Sequence, residues 1–232
     1  MNSVIITDCP RTAIADVDRI AQFGVATVHE ALGRVGLVGP DIRPIQSDVR
    51  VAGNAVTVLS WPGDNLMIHA AIEQCRPGDF LVVTTTSPST DGMFGELFAT
   101  ALQYRGVRGL ITTAGVRDTS ELRQMSFPVW SAAVNAQGTV KATAGAVNVP
   151  VIVGGAVVHP GDVVLADDDG VMIVPRERAA EAILASEARE SKEAETRAAF
   201  LDGELGLDRY KLRGVLSDLG VDYVPHQQSD RL

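Results

Sequence analysis

Four residues near the middle of the chain have the types and the spacing of a site for an anionic ligand. Gly95 and Glu96 stand where an apolar, helix-like run begins. Arg117 and Asp118 directly follow the short apolar run 110–116. If that run is a strand, its carboxyl end and the helix amino terminus face one cleft, where ligands bind in open α/β folds. Helix N–H groups, a guanidinium and a carboxylate together suit an anionic substrate and a hard metal ion.

Several residues of this segment also have a more ordinary explanation. Judged by spacing alone, Asp118 more often pairs with Arg117 or caps a short helix over 119–124. Arg117 is then an exposed surface cation. Leu97 and Phe98 fit plain core packing, although their backbone N–H groups can still bind an anion at the first turn of a helix. The residues by themselves leave these alternatives open.

The scarcity of lysine bears on the kind of chemistry. Lysine occurs only at 141, 192 and 211, and the last two positions fall in a charged segment and a polar tail. Covalent catalysis through a Schiff base needs a lysine that is desolvated in a pocket, which leaves Lys141 as the candidate. The sequence therefore favours metal assistance over Schiff-base chemistry.

The elements around the four residues can be predicted from apolar spacing. One helical face collects apolar side chains at Leu97, Phe98, Ala101 and Leu102. Glycines at 106 and 109 end this helix, and Leu110 begins a buried strand. The strand brings Arg117 and Asp118 to its carboxyl end.

The remaining pattern predicts one α/β domain over residues 1–175 and a helical arm over 176–232. Predicted helices are two short ones within 12–36 that are broken at Gly24, one that begins after Asp64 or Asn65, a long charged one over 176–200 and a short one near 210–219. Predicted strands cover 49–59, 80–83 and 127–130, with further β structure over 138–153. Asp167–Gly170 predicts a hairpin turn rather than a cation-binding loop.

Charge and composition narrow the classes of function. A formal net charge of -9 argues against nucleic acid as the main partner, because phosphate binding requires a basic patch. No apolar stretch reaches the about 18 residues of a membrane span, and the amino terminus lacks an export signal. Cys9 and Cys75 form no metal-binding spacing, so we expect a reducing cytoplasm. His29 and His69 are isolated from each other, and structural roles are expected for both.

The central segment also resembles a family signature. A glycine and an acid at 95–96, twenty intervening residues and then Arg117-Asp118 are similar to the 4-hydroxy-4-methyl-2-oxoglutarate / 4-carboxy-4-hydroxy-2-oxoadipate aldolases. The related regulator of ribonuclease activity A proteins share much of this pattern. Four further segments extend the likeness: Val25–Ala31, Thr86–Gly92, Ala136–Lys141 and Gly203–Asp208, the last of which resembles the aldolase branch. The resemblance implies a swivelling-type β/β/α three-layer sandwich with a helical C-terminal arm.

The resemblance implies roles for the central residues. It places a divalent ion, Mg²⁺ or Mn²⁺, on Asp118, largely through ordered waters. It places Arg117 on the substrate, where a guanidinium fork grips a carboxylate or the enolate oxygen. Backbone amides at Gly95, Leu97 and Phe98 are expected to bind the pyruvyl carboxylate.

Two glutamates complete the implied site. Glu96 stands where many relatives have aspartate, and we expect it to contact water near the metal. A glutamate of the long C-terminal helix is expected to enter the neighbouring subunit's site, and Glu193 is preferred to Glu195. Judged by sequence alone, such a charged run is usually a solvated helix face.

The implied activity is a metal-dependent aldolase of aromatic-acid catabolism that cleaves 4-hydroxy-2-oxo acids to pyruvate, with oxaloacetate decarboxylation as a side reaction. The implied assembly is a homotrimer or homohexamer with sites between subunits. Two alternatives remain: a non-catalytic protein that binds a ribonuclease, and another lyase or hydratase on the same scaffold.

Overall fold

Three helical crossovers between parallel strands build the part of the chain that carries the predicted site. The structure is a computed structural model, and it describes residues 3–226. Its helices are α1 Ile14–Ile20, α2 Val25–Ala31, α3 Leu66–Gln74, α4 Glu96–Tyr104, α5 Thr119–Gln124, α6 Ala179–Leu201, α7 Gly206–Arg209 and α8 Leu212–Asp218. Its strands are β1 Val4–Ile5, β2 Arg43–Pro44, β3 Val51–Ser60, β4 Asp79–Thr85, β5 Gly92–Phe94, β6 Leu110–Val116, β7 Val129–Val134, β8 Ala146–Val147, β9 Val151–Val153, β10 Ala156–Val158, β11 Val163–Asp167 and β12 Gly170–Val174.

The main sheet has parallel strands at its centre. Strands β3, β4, β6 and β7 are neighbours in that order and run parallel. Because each parallel step needs a crossover, the intervening segments contain α3, α4 and α5. The antiparallel hairpin of β11 and β12 adds to the other edge of β3, which confirms the turn predicted at Asp167–Gly170.

Two apolar layers cover the faces of the sheet. On one face α3, α4 and α5 bury side chains such as Ile68, Leu102 and Leu122 against the strands. On the other face the β9–β10 hairpin packs with Trp130 and Phe80. The layers are therefore helix, sheet and second β layer, and the predicted β/β/α sandwich is confirmed.

The chain divides into two units, Met1–Glu187 and Ala188–Leu232. The first turns of α6 belong to the first unit, where Ala179 and Ala182 are buried with α1 and α2. Within the second unit, Phe200 and Tyr210 meet edge to face at 6.2 Å between ring centroids. Among residues 3–226 no helix has the length and apolar character needed to cross a membrane.

One stretch differs from its prediction. Residues 138–145 were expected to be β structure, and the structure forms only an isolated bridge there, between Asp64 and Val140. The expectation holds for β8 and β9 further along. The reason is that the backbone of 140–144 is hydrogen-bonded to residues 61–65, which lead into α3, rather than to a neighbouring strand.

Candidate active site

The start of α4 and the end of β6 are held side by side by a short strand. β5 ends directly before Gly95 and pairs in parallel with the end of β6, through Gly92↔Gly115 and Phe94↔Val116. The Arg117 N–H continues this pairing by donating to the Phe94 carbonyl at 2.8 Å. The sequence therefore brings the two ends together as predicted, through a pairing that sequence periodicity did not indicate.

Asp118 is turned towards the first turn of α4. Its backbone is left-handed, with φ 55° and ψ 39°, a region that aspartate tolerates better than most residues. Its Oδ2 accepts the Glu96 N–H at 3.1 Å and lies 3.7 Å from Arg117 Nε. It makes no side-chain cap bond to α5, although it occupies the cap position of that helix. Of the two ordinary explanations for Asp118, capping of α5 is not observed, and the pairing with Arg117 is a long contact of 3.7 Å.

Gly95 makes this approach possible. A Cβ at residue 95 would lie 2.3 Å from Asp118 Oδ2 and 3.1 Å from Arg117 Cγ. The backbone of Gly95 is extended, with φ -156°, so the restriction comes from space rather than from the dihedral angle. Only glycine at this position allows the Asp118 carboxylate to reach the Glu96 N–H.

A cleft of about 200 Å³ opens at this junction. It is lined by Asn65, His69, Ile72, Gly92, Met93, Gly95, Leu97, Phe98, Ala101, Arg117, Asp118 and Lys141. Five of the predicted site residues are thus brought together: Gly95, Leu97, Phe98, Arg117 and Asp118. The side chains of Arg117 and Asp118 are 45% and 40% exposed, so both are accessible to a ligand.

Leu97 and Phe98 differ in their surroundings. Phe98 is buried and stacks on Phe94 at 5.7 Å between ring centroids. Leu97 is 79% exposed, so the core-packing explanation is wrong for it, and Ala99 takes the buried place instead. Across residues 3–226, the Leu97 N–H donates to no acceptor, whereas the Phe98 N–H bonds the Gly95 carbonyl. Leu97 therefore offers the first-turn N–H that an anion can take.

Glu96 contributes its backbone rather than its side chain. Its N–H holds Asp118, and its Oε1 accepts the Thr100 hydroxyl at 2.9 Å, one turn further along α4. The side chain therefore lies along its own helix in this structure.

Three polar residues of the cleft are absent from the predicted site. Asn65 directly precedes α3 at its N-cap position, His69 lies in the first turns of α3, and Lys141 lies in the loop between β7 and β8. The His69 ring packs on Phe98 at 4.5 Å between centroids. Burial, and then the Lys141 ammonium, lower the pKa of His69 below its ordinary value. Asn65 and His69 are four positions apart, which is compatible with one face at the start of a helix. They were not predicted as site residues because this segment was interpreted by its apolar residues.

Comparison with known proteins identifies the relatives of this chain. A family model described as RraA-like, Aldolase/RraA, matches residues 25–173. That segment is more than half of the chain and contains the whole cleft. The chain belongs to the Aldolase/RraA family.

Relatives within the Aldolase/RraA family have two kinds of name. A Burkholderia multivorans protein, provisionally named 4-hydroxy-4-methyl-2-oxoglutarate aldolase, is 33% identical over 156 residues, which are 66% of this chain and 94% of that protein. A Halalkalibacterium halodurans protein with the same provisional name is 28% identical over 165 residues, 70% of this chain and 79% of that protein. The solved structure of Streptomyces coelicolor RraAS2, described as an unusual member of the RNase ES inhibitor RraA family, superposes with a TM-score of 0.73. It is 26% identical, with 82% of this chain and 99% of that chain covered.

The donor set of this family member suits a sparsely held divalent ion. Among residues 3–226 no three His, Cys, Asp or Glu side chains cluster as a metal site. Within the same residues Asp118 Oδ1 accepts no hydrogen bond, whereas Oδ2 is engaged. An accessible carboxylate oxygen is compatible with Mg²⁺, which keeps several waters and is often held by one or two carboxylates together with substrate groups. The residues present therefore fit the ion that the resemblance implied.

Glu193 belongs to the second unit. It lies on α6 and forms an i,i+4 ion pair with Arg189, with 2.8 Å between Arg189 Nε and Glu193 Oε1. Its side chain is 42% exposed and borders a shallow groove with Phe200 and Tyr210. A role for Glu193, or for Glu195, in a neighbouring subunit stays a prediction.

Proposed function

We propose that this Aldolase/RraA member is a divalent-metal-dependent aldolase that releases pyruvate from 4-hydroxy-2-oxo acids. Cleavage of 4-hydroxy-4-methyl-2-oxoglutarate would give two pyruvates, and cleavage of 4-carboxy-4-hydroxy-2-oxoadipate would give pyruvate and oxaloacetate. The observation that carries the proposal is the junction of Arg117 and Asp118 with the first turn of α4, which presents a cation, a carboxylate and an unbonded N–H to one cleft.

The positive groups of the cleft suit the 2-oxo acid end of such a substrate. The Arg117 guanidinium has several donors in a planar fork, which matches a carboxylate or an enolate oxygen. The Leu97 N–H lies at the positive end of α4 and adds a fixed donor. Both would stabilise the negative charge that develops as the bond between C3 and C4 breaks.

A Mg²⁺ or Mn²⁺ ion on the Asp118 carboxylate would polarise the 2-oxo group, an effect worth several kcal/mol. The electrons of the C3–C4 bond then pass to the pyruvate enolate, and the 4-hydroxyl loses its proton and becomes a ketone. We assign the positioning of the water that accepts this proton to Glu96 or Glu193. For Glu96 this role requires its carboxylate to leave the Thr100 hydroxyl.

The same arrangement supports two further parts of the proposal. Oxaloacetate decarboxylation passes through the same enolate, so we expect it as a side activity. Glu193 stands on a long polar helix, and we propose that it acts across the interface of a homotrimer or homohexamer.

A second function has support from one comparison. The Streptomyces relative is described as a member of an RNase inhibitor family, and it covers most of this chain. A regulator that masks a ribonuclease would need no turnover and no metal. The cleft residues favour the aldolase, because a masking surface requires neither an unbonded N–H nor an accessible carboxylate in a cavity.

An assay of pyruvate release separates the two functions. Both oxo acids would be supplied with Mg²⁺ or Mn²⁺, and pyruvate would be measured with lactate dehydrogenase and NADH. The aldolase proposal predicts release that a chelator abolishes and added metal restores. No release from either acid, together with inhibition of a purified ribonuclease E-type enzyme, would replace it with the regulatory function.

A further inference from the structure

The loop that carries Lys141 is fixed in place although it has almost no regular structure. This 135–145 loop joins β7 to β8. At its start the Asn135 N–H donates to the Val116 carbonyl and the Gln137 carbonyl accepts the Gly92 N–H, both at 2.9 Å. At its end the Trp61 ring N–H donates to the Ala144 carbonyl at 3.0 Å. The loop is therefore held on both sides of Lys141.

The Asp64 side chain attaches the middle of this loop to the start of α3. Its side chain is buried, and its Oδ1 accepts the Leu66 N–H at the start of α3 at 2.9 Å. Its Oδ2 accepts two N–H groups of the loop, from Ala142 at 2.9 Å and from Thr143 at 2.6 Å. A buried carboxylate is costly unless hydrogen bonds satisfy it, and these three do so.

Backbone bonds complete the attachment next to Lys141. The Val140 N–H donates to the Gly63 carbonyl at 2.9 Å, and the Val140 carbonyl accepts the Asn65 N–H at 3.0 Å. The residues before and after Lys141 are thus both bonded to the turn that begins α3. The backbone of Lys141 has little freedom, while its side chain is free to project.

Lys141 gives the cleft a second positive charge. It borders the same cavity as Arg117 and Asp118. After burial, the positive charge of Lys141 further lowers the pKa of His69, which lines the α3 side of that cavity. A ligand with one carboxylate needs one cation, whereas an acid with a second carboxylate gains from two.

We propose that Asp64 is a positioning residue that holds Lys141 at the cleft, so that the site selects acids carrying a second carboxylate. The choice of acid rests on the proposed function, but the positioning of Lys141 does not. It can therefore be tested without turnover.

The first test measures the pKa of His69 by NMR. The chain has four histidines, and ¹³C labelling of the imidazoles with a His69→Gln variant assigns the signal. Lys141→Gln should raise the pKa of His69 towards its ordinary value, because a nearby positive charge is removed. Asp64→Asn should raise it in the same direction, because the loop amides lose an acceptor and Lys141 moves away. The double variant should show no further rise.

Two further variants separate positioning from general stability. Asp64→Ser can still accept the Leu66 N–H but is too short to reach the loop, so it should behave like Asp64→Asn while α3 stays capped. Asp162→Asn is the matched control, because Asp162 is also a buried carboxylate that accepts backbone N–H groups, from His159 and Arg176. It should lower stability and leave the pKa of His69 unchanged.

Three outcomes would overturn the proposal. One is an unchanged His69 pKa in Lys141→Gln, which places the charge away from the cleft. Another is an unchanged His69 pKa in folded Asp64→Asn or Asp64→Ser. The third outcome is measured on the native protein: the Ala142 and Thr143 amides would exchange their hydrogens as fast as they do in an unfolded peptide. Slow exchange at both amides is expected.

A kinetic test addresses the selected acid. Asp64→Asn should raise KM for 4-hydroxy-4-methyl-2-oxoglutarate about 10-fold, the loss of one hydrogen bond to a charged group, with a smaller change in kcat. KM for 4-hydroxy-2-oxopentanoate, which lacks the second carboxylate, should stay within about twofold. Equal effects on both acids would overturn the selectivity. Absence of all pyruvate release would instead refute the proposed function and leave the NMR result standing.

Discussion

Gly95→Ala is the substitution whose effect follows most directly from the geometry. The new Cβ would lie 2.3 Å from Asp118 Oδ2, and ordinary contacts begin at 3.4 Å. The carboxylate must therefore move by about 1 Å, which breaks its 3.1 Å bond with the Glu96 N–H. A displacement of that size in a reacting group costs about 10²-fold in rate. We expect kcat/KM for pyruvate release to fall by about 10²-fold.

The protein should remain folded in this variant. The extended backbone at Gly95 is open to alanine, so the main loss is one hydrogen bond, worth about 1 kcal/mol. Gly138→Ala is the matched control, because Gly138 also neighbours Arg117 but its Cβ would meet Arg117 Nη1 at an ordinary 3.5 Å. Steady-state kinetics and thermal unfolding of both variants decide the matter. A folded Gly95→Ala protein with kcat/KM within threefold of the wild type would refute the reasoning about Asp118.

Three other predictions concern charge. Arg117→Lys should recover little of the about 10²–10³-fold loss in kcat expected for Arg117→Ala, because an ammonium lacks the planar fork, and near-native kcat/KM in the lysine variant would contradict this. If Glu193 completes a neighbouring subunit's site, the Asp118→Ala and Glu193→Ala proteins should each be nearly inactive and should regain activity when they are refolded together. If native mass spectrometry shows mixed oligomers but their activity does not rise, Glu193 does not have that role. Burial acts to raise the pKa of Asp64, but N–H bonds from Leu66, Ala142 and Thr143 outweigh it, so the pKa lies below its ordinary 3.8. The stability that the charged Asp64 provides is therefore fully present above pH 3.8 and is lost as the pH falls through the lowered pKa. The difference in unfolding free energy between wild type and Asp64→Asn should shrink below pH 3.8. A difference that stays constant with pH would contradict this prediction.

Local patterns in the sequence were sufficient for the main elements of the fold. Gly24 separates two short helices, and Asp167–Gly170 forms the predicted hairpin turn. These features depend on the backbone preferences of a few adjacent residues. The order of the strands in the sheet depends on distant pairings, and it was not predicted: the family resemblance implied the three-layer sandwich but no strand order.

The site residues that are adjacent in sequence could also be predicted, but the residues that surround them in the folded cleft could not. Arg117 and Asp118 adjoin an apolar strand in the sequence, so their place at its end was apparent. Leu97 was placed on the apolar face of the helix with Phe98 because of its spacing, yet in the structure Leu97 is exposed and Ala99 is buried instead. Elimination left Lys141 as the candidate for a pocket lysine, but its neighbours in sequence did not place it in the cleft, since its position depends on hydrogen bonds to a residue about eighty positions earlier.

The β structure expected over 138–145 failed for a related reason. Valine, threonine and alanine favour strands, but strand formation also requires a partner with free N–H and carbonyl groups. In this fold the buried Asp64 carboxylate and the turn around Gly63 supply the partners instead. The tertiary contacts of this loop therefore override the preferences of its residues.

Pyruvate stoichiometry in the wild type and in Asp118→Asn tests the central claim most directly. Asparagine keeps the size of the side chain and tolerates the left-handed backbone, so the fold should be retained while the charge is removed. With Mg²⁺ or Mn²⁺ and 4-hydroxy-4-methyl-2-oxoglutarate, the wild type should release two pyruvates for each molecule consumed, and Asp118→Asn should release none above background. Equal release by both proteins, or release by the wild type that persists in excess chelator, would contradict a metal-dependent aldolase centred on Asp118.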